Sequence, residues 1–241
     1  MPVSSLQPAY ALHSRRYRES SLIVEFLTRD HGRLALLAKG AIGGKASRQH
    51  LLQPFTPLLI AWRGRGDLPT LASLEPATSA GKPGGHALYC GLYVNELLLK
   101  LTERAEPHSQ LFPAYAACMQ DLLEAQNDQA SLEQALRRFE LGLLDELGLG
   151  MQLVQDQEGM PIIPLGHYHY DFLSGPKKTP PDERSLAGET LIALAKGVFS
   201  SVEQRREARV LMRRVLAHHL GGRPLKSREL FRGSVEFTGD G

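Results

Sequence analysis

The sequence SSLIVEFLTRDHGRLALLAKGAIGGKASRQHLLQPFTP, residues 20–57, decides the fold of the first part of this chain. Leu22–Leu27 and Leu34–Lys39 are apolar runs typical of strands, and Asp30-His31-Gly32 between them supplies the residues of a tight turn. The pattern therefore predicts a β-hairpin. Residues 40–50 then form a loop with three glycines, basic residues and no acidic residue, which is typical of a segment that holds a phosphate backbone.

Five β-strands are predicted in the first 80 residues. Their bounds are Tyr10–Tyr17, Ser21–Arg29, Arg33–Lys39, Leu52–Trp62 and Pro69–Glu75. Five short strands in so few residues are typical of a small barrel of the oligonucleotide/oligosaccharide-binding (OB) type, and an SH3-like barrel or a three-layer α+β unit is the alternative. Residues 76–85, rich in Gly and Pro, read as a linker between a domain of residues 1–80 and one of residues 81–241.

The second domain is predicted to be mostly helical. Apolar residues recur at helical spacing in His86–Glu103, Ser109–Leu123, Leu132–Leu147, Leu186–Ala195 and Ser201–Leu220. Ser131 with Gln134 resembles a capping box, and Gly148 resembles a helix stop. Residues 151–175 are irregular, and Met160–Leu165 with His167–Leu173 are predicted to form a short β-ribbon. The fold class is thus α+β, an OB-type barrel followed by a helical domain with a ribbon insertion.

Composition excludes several classes of protein. With 42% hydrophobic and 22% charged residues, the chain has the composition of a soluble globular protein, and no stretch approaches the length of a membrane span. The N-terminus lacks a secretory signal, so we expect a cytoplasmic protein. Residues 1–80 hold ten basic and five acidic residues, whereas residues 81–150 hold five and ten, which indicates modules with separate surfaces. Cys90 and Cys118 lie in helical apolar patterns and are expected to be buried.

No set of catalytic residues emerges from the motifs. The loop GAIGGKAS has the wrong spacing for a phosphate-binding loop of nucleotide hydrolases, since three residues separate Gly40 from Gly44 and Ala46 follows the lysine. His167, His169 and Asp171 could serve a metal-dependent nuclease, but an exposed ribbon face is the simpler interpretation. A binding protein without metal or cofactor is therefore favoured over an enzyme.

Basic and aromatic residues outside the glycine loop extend the predicted nucleic-acid surface. In the last long helix Arg205, Arg209 and Arg213 share one face opposite an apolar face, which could contact phosphates or could be an ordinary solvated helix face. Trp62 is followed by Arg63 and Arg65, and Tyr17, which lies among arginines, is the best candidate for stacking on a base.

With these residues in view, the chain resembles the RecO family of bacterial recombination mediators in DNA repair. The resemblance covers nearly the whole length in five blocks, LHSRRYRESSLIVEFLTRDHGRLALLAKGA, LLQPFTPLLIAWRGRGDLPTL, LYCGLYVNELLLKL, LRRFELGLLDELGLG and LGGRPLKSRELFR. It implies an N-terminal OB domain, binding of single- and double-stranded DNA, annealing of strands coated with single-stranded-DNA-binding protein (SSB), and, with RecR, help in loading RecA. It also implies a cytoplasmic, nucleoid-associated location.

Two further implications of the resemblance concern particular residues. Many relatives carry a four-cysteine zinc site after the helix of residues 132–147, but the equivalent stretch here has no cysteine, so the chain resembles a zinc-free branch of the family. In the family the acidic C-terminal tail of SSB, which ends in an aromatic residue, docks on the helical domain. The matching block offers Arg137 and Arg138 beside Phe139 and Leu143, although the two arginines could simply form an exposed helix face.

The residues expected to contact DNA form two groups. Those of the barrel and its loops are Arg15, Arg16, Tyr17, Lys39, Lys45, Arg48, Arg63 and Arg65, and those of the last long helix are Arg205, Arg209 and Arg213. The rival hypothesis is an interaction scaffold whose barrel is only structural, which predicts negligible affinity for DNA at low salt.

Reversing the charge of the basic loop tests its predicted role. Replacing Lys39, Lys45 and Arg48 with Glu should weaken DNA binding and flatten its salt dependence, because each phosphate that is no longer neutralised removes about 0.9 from the slope of log K against log[salt]. The measurement is a fluorescence titration of an oligonucleotide at several salt concentrations. An unchanged slope would count against the loop.

Overall fold

The computed structural model describes residues 3–43, 48–78 and 81–233. The chain divides into two compact units, one made of Met1–Gln126 together with Ser227–Gly241, and the other of Asn127–Lys226. This grouping by contacts differs from the domain boundary at residue 80 that the sequence predicts, and that boundary stays a prediction. None of the helices in these ranges is long and apolar enough to cross a membrane.

A closed five-stranded barrel forms the start of the first unit, as the sequence predicts. Its strands are β1 (Gln7–Tyr17), β2 (Ser21–Thr28), β3 (Gly32–Ala38), β4 (Pro57–Arg63) and β5 (Thr70–Pro76), in the order β1-β2-β3-β5-β4. All neighbouring pairs are antiparallel except β3 and β5, which meet in parallel where Leu37 pairs with Thr70. The predicted hairpin is confirmed. Gly32 ends its turn with φ +64, and the Thr28 hydroxyl donates to the Gly32 carbonyl at 2.8 Å.

Side chains that alternate along the strands fill the barrel. Ala9 and Ala11 of β1 and Leu22, Val24 and Phe26 of β2 are all buried, because every second residue of a strand points to the same side of the sheet. Matching positions of the other strands complete this core with Leu36, Ala38, Leu58, Ile60, Leu71 and Leu74.

The fourth strand begins at Pro57 rather than at Leu52, where the sequence predicts it. Residues 48–56 form turns, and Phe55 adopts a left-handed φ of +72 that a strand cannot accommodate. Its buried ring packs on Gly91, where a Cβ would lie 2.7 Å from Phe55 Cε1. The contact with a helix 36 positions later in the chain, which the local sequence does not reveal, sets the conformation of this segment.

Two helices, α1 (Gly85–Leu101) and α2 (Leu111–Ala125), pack with the barrel in the first unit. The register of β1 against β2 shifts between Ala11 and His13, so Leu12 is the extra residue of a β-bulge. The buried Asn95 of α1 donates to the Leu12 carbonyl at 2.9 Å and accepts from the Tyr115 hydroxyl of α2 at 2.8 Å. One buried amide therefore joins the bulged strand to both helices.

The last helix of the chain, α6 (Ser227–Gly233, numbered after the helices described below), returns to α1. The backbone N–H and the hydroxyl of Ser227 donate to Glu96 Oε2 at 2.8 and 2.7 Å. Glu96 also forms an ion pair of 3.2 Å with Lys100, and the Phe231 ring meets the edge of Tyr89 at 6.0 Å. The first unit is thus built from both ends of the chain.

The second unit contains three helices and a small sheet. The helices are α3 (Gln129–Glu146), α4 (Gly188–Lys196) and α5 (Val202–His219), and the strands are β6 (His167–Asp171), β7 (Gly175–Thr179) and β8 (Leu186–Ala187). The predicted capping box at Ser131 is wrong, because the Asp128 side chain caps α3 by accepting from Ser131 N at 3.0 Å. Gly148 does end this helix, with φ +70.

The predicted ribbon is half wrong. The strand at His167 exists, but it pairs with β7 and β8 rather than with Met160–Leu165. Pro161 and Pro164 within that segment have no N–H to donate to a ladder, which disfavours a paired strand. The turn from β6 to β7 is instead held by the Asp171 carboxylate, which accepts from the N–H groups of Leu173 and Ser174, each at 2.9 Å.

Replacing Asn95 tests the buried link between the bulge and the helices. Asn95→Leu leaves the Leu12 carbonyl and the Tyr115 hydroxyl buried without their partner, and each orphaned group costs about 1–3 kcal/mol. Tyr115→Phe removes one hydroxyl only and should cost less, about 1–2 kcal/mol. Urea denaturation followed by circular dichroism measures both. A leucine variant as stable as the wild type would refute this role of Asn95.

Candidate nucleic-acid interface

A row of paired residues crosses all five strands of the barrel. Arg15 of β1 pairs with Ile23 of β2, Ile23 with Leu37 of β3, Leu37 with Thr70 of β5, and Thr70 with Arg63 of β4. Paired residues of neighbouring strands point to the same side of a sheet, and the alternate residues of these strands fill the core. The row therefore lies on the outside of the barrel, with an exposed arginine at each end.

The adjacent outward row adds an aromatic residue and a lysine. Tyr17 pairs with Ser21, and Lys39 follows the end of β3 beside them. One open cavity of about 630 Å³ is lined by Tyr17, Ser21, Leu37 and Lys39, together with Arg18, Glu19, Ser20 and Gly40. The structure thus brings Tyr17 and Lys39 to one cavity, while Arg15 and Arg63 lie on the outer surface of the closed barrel at the two ends of the row. We name this outer surface the barrel face and define it by Arg15, Tyr17, Lys39 and Arg63.

The bulge in β1 determines which arginines reach the barrel face. Because Leu12 is the extra residue, His13 and Arg15 point outward, whereas Arg16 pairs with the core residue Leu22. Arg16 is exposed, but it lies on the opposite side of the strand from Arg15. It is therefore not part of the barrel face. The Arg18 guanidinium lies 5.3 Å from the centre of the Tyr17 ring, so a cation already contacts the predicted stacking residue.

The remaining predicted contacts lie in loops. Arg48 is exposed in the described end of the glycine loop of residues 40–50, and Arg65 is exposed in the turn from β4 to β5, after Gly64 with φ +100. The prediction for Lys45 falls outside the described residues. Neither of these two loop arginines belongs to a strand of the barrel, so strand pairing does not fix its position.

The acidic residue of the neighbouring outward row is already neutralised. Glu25 is buried and accepts from Arg33 Nη1 at 2.8 Å and from the guanidinium of Arg104. Arg33 Nη2 also donates to the Thr102 carbonyl at 2.6 Å, at the end of α1. Because two guanidinium groups satisfy this carboxylate, its charge does not oppose the cations of the barrel face.

Arginines of α5 lie as the helical wheel predicts, but two of them are engaged. Ala208, Leu211, Met212 and Val215 are buried on the apolar face. On the other side, Glu133 of α3 forms ion pairs with Arg209 at 2.9 Å and with Arg205 at 3.6 Å. These two cations are therefore partly compensated. The Arg213 side chain is exposed.

The residues expected to receive the SSB tail are mostly buried. The interior of the second unit contains Arg137, Phe139 and Leu143. The alternative interpretation, that Arg137 forms part of an exposed helix face, is therefore wrong. Arg137 Nη2 donates to the buried carboxylate of Glu140 at 2.8 Å. Arg138 alone of the four is exposed.

The residues of the alternative nuclease site have structural roles. His169 Nε2 lies 2.8 Å from Asp182 Oδ2, His167 Nδ1 lies 3.4 Å from the Ser185 hydroxyl, and Asp171 holds the turn after β6. Among residues 3–43, 48–78 and 81–233, no group of three or more His, Cys, Asp or Glu side chains could hold a metal ion. Cys90 and Cys118 are buried, as the sequence predicts.

Sequence reasoning missed a second basic cluster, in the second unit. A cleft of about 560 Å³ is lined by Arg184, Arg206, Arg214 and Val210, together with Glu183, Ser185, Leu186 and Glu207. Arg206, Val210 and Arg214 follow one another at four-residue spacing on α5, so a helical wheel could have indicated this face. The approach of Arg184 depends on the β-sheet and has no local signal.

Comparison with known proteins agrees with this architecture. Residues 1–80 match the family model for the N-terminal part of recombination protein O, and residues 84–229 match the model for its C-terminal part. The chain belongs to the RecO family. DNA repair protein RecO of Methylococcus capsulatus is 44% identical over 230 residues, 95% of this chain and 93% of that protein. RecO of Halorhodospira halophila is 44% identical over 231 residues, 94% and 96% of the two chains.

Membership of the RecO family confirms two expectations from the sequence. The fold is that of an N-terminal barrel followed by a helical region with a small separate sheet, and the chain belongs to a family of DNA repair proteins. RecO of Serratia proteamaculans is likewise 44% identical, over 227 residues that cover 93% of this chain and 92% of that protein.

The contact between His169 and Asp182 can be tested by titration. The hydrogen bond from His169 is the largest cause that holds the pKa of Asp182 below its ordinary value, followed by the N–H of Arg184. A lowered pKa means that Asp182 stabilises the folded state while ionised, and that this contribution is lost as the pH falls through the folded-state pKa. In a ¹³C NMR titration, His169→Ala should raise the pKa of Asp182 towards its ordinary value. An unchanged pKa would contradict the contact.

Proposed function

We propose that this chain binds single- and double-stranded DNA, anneals complementary strands coated with SSB, and, with RecR, promotes the loading of RecA onto single strands. The observation that carries the proposal is the barrel face, where Arg15 of β1 and Arg63 of β4 point outward from the barrel and Lys39, at the end of β3, lines one cavity with Tyr17. Such a surface combines the phosphate contacts and the stacking platform of proteins that bind single strands. A cytoplasmic, nucleoid-associated location belongs to the same proposal.

Strand annealing follows from the charge of this surface. Two DNA strands repel each other, and arginine or lysine side chains that neutralise phosphates release counterions and lower that repulsion. The row from Arg15 to Arg63 spans four strand-to-strand steps, about 19 Å along the curved sheet at about 4.8 Å per step. Four of the five steps around a closed barrel carry the row most of the way round it, so the two end cations hold different stretches of DNA. No catalytic group is needed for this role.

Docking of the SSB tail is a separate part of the proposal. Arg138, exposed on α3, is the cation that an acidic tail can reach directly. Phe139 and Leu143, which would have to accept the aromatic end of the tail, are buried, so docking there requires a local rearrangement of the second unit. An aromatic residue could enter only if the interior opened beside Arg138.

Substitution of the barrel face tests DNA binding. In the variant R15Q/K39Q/R63Q the slope of log K against log[salt] for a single-stranded oligonucleotide should fall by about 2 to 3, at about 0.9 for each phosphate that is no longer neutralised. The matched control R29Q/K82Q/K226Q removes three exposed cations elsewhere and should change the slope by less than about 1. Equal effects of the two variants would refute a specific role of the barrel face. Negligible binding by the wild type at low salt would favour the scaffold hypothesis.

Annealing with intact and truncated SSB tests the mediator role. The wild-type chain should anneal complementary oligonucleotides coated with intact SSB faster than the protein-free control. The acceleration should be smaller when SSB lacks its acidic tail, and Arg138→Glu should reduce it as well. If neither coating gives faster annealing than the control, the chain is not an annealing mediator.

A further inference from the structure

A cleft in the second unit is lined by the side chains of three arginines. Arg184, Arg206 and Arg214 line it, and none of them forms an ion pair with any residue in the ranges that the structure describes. All three side chains are exposed. Arg205 and Arg209, the neighbouring cations on α5 that the sequence favoured, are instead paired with Glu133.

Backbone contacts fix the position of Arg184 in this cleft. Asp182 Oδ1 accepts from the N–H groups of Arg184 and Ser185, each at 2.8 Å, and Oδ2 of the same carboxylate contacts His169 of β6. The turn that carries Arg184 is therefore tied to the sheet. Its side chain approaches the cleft from one wall, while α5 forms the other.

One of the two carboxylates of the cleft already has a structural task. Glu207 Oε2 accepts from the Ala187 N–H at 3.2 Å and from the Thr190 hydroxyl at 2.7 Å, at the start of α4. Part of its charge is therefore engaged with hydrogen-bond donors of the protein. Glu183 is the other acidic residue, so cations outnumber carboxylates in the lining.

We propose that this cleft binds the phosphate backbone of a DNA strand, as a second DNA site distinct from the barrel face. The inference rests on the proposed function, because it assumes that DNA is the ligand of the chain. With two sites in one chain, a single molecule holds two strands at once. Bringing two complementary strands onto one molecule raises their effective concentration for annealing.

The geometry of α5 suits a nucleic-acid backbone. Arg206 and Arg214 are eight residues apart on one helix face, about 12 Å at about 1.5 Å per residue. This spacing corresponds to about three to four nucleotides of a stacked strand at about 3.4 Å each. A guanidinium group binds a phosphate through two parallel hydrogen bonds, and Arg184 adds a third cation from the opposite wall.

An acidic peptide fits this cleft less well than a DNA strand. Peptide recognition depends on apolar anchors that fill pockets, but among the described residues of the lining Val210 is the one exposed apolar side chain, and Leu186 is buried. Phosphate recognition by arginine needs no such anchor. The composition of the lining therefore favours the DNA strand.

The test is the number of short strands that one chain binds. An oligothymidine of about eight nucleotides, within the usual site size of a single-strand-binding domain, is titrated into the full-length protein at low salt by isothermal calorimetry. The wild type should bind two strands per chain and R184Q/R206Q/R214Q one. The control K177Q/K178Q/K196Q, which removes three exposed cations of the same unit, should still bind two.

A second variant guards against a folding defect. The Arg214 guanidinium lies 5.7 Å from the centre of the Phe172 ring, so its loss could disturb the unit. R184Q/R206Q retains this contact and should still weaken the second binding event at least tenfold. Circular dichroism of each variant should match that of the wild type.

The outcomes separate this proposal from the proposed function. If the wild type binds no strand, DNA binding itself fails. If wild type and R184Q/R206Q/R214Q bind strands identically while R15Q/K39Q/R63Q loses binding, the second site is refuted and the barrel face stands. An acidic peptide ending in phenylalanine is then tested in the same calorimeter. Binding of that peptide that depends on Arg184, with no second DNA strand bound, would also overturn the proposal.

Discussion

The first unit depends on a buried amide at a β-bulge. The extra residue Leu12 breaks the hydrogen-bond ladder of β1 and leaves its carbonyl facing the interior, where an unpaired acceptor is costly. Asn95 of α1 satisfies this carbonyl and also accepts from Tyr115 of α2. The same bulge reverses the alternation of β1, so that Arg15 points outward. Packing and the orientation of a candidate DNA contact therefore share one cause.

Neutralisation of carboxylates decides which cations remain available. Glu25 is bound by Arg33 and Arg104, and Glu133 is bound by Arg205 and Arg209. Arg33 and Arg104 were not among the predicted DNA contacts, and their pairing with Glu25 leaves the barrel face cationic. Arg205 and Arg209 were predicted DNA contacts, and their pairing with Glu133 engages them. A count of basic residues along a chain cannot distinguish these cases, because the partner lies far away in sequence.

Local patterns predicted the elements well and their partners less well. The hairpin at Asp30-His31-Gly32, the five strands and the helices follow from turn residues and from apolar periodicity, which act over a few neighbours. The predicted start of β4 and the predicted pairing of β6 were wrong. The packing of Phe55 on Gly91 places the start of β4, and β6 pairs with residues 175–179 and 186–187. The SSB-tail residues show the same limit: a helix carrying both arginines and apolar residues does not reveal which face the unit buries.

The sequence by itself determined the fold class and the RecO resemblance, because these depend on residue type and short-range order. Tertiary structure alone decided that Tyr17 and Lys39 line one cavity, that Arg15 and Arg63 point outward from the barrel whereas Arg16 does not, and that Arg184 meets Arg206 and Arg214 across a cleft. Strand register and helix packing bring together residues separated by tens of positions. That information lies in the sum of many weak contacts over the whole chain, and no single segment carries it.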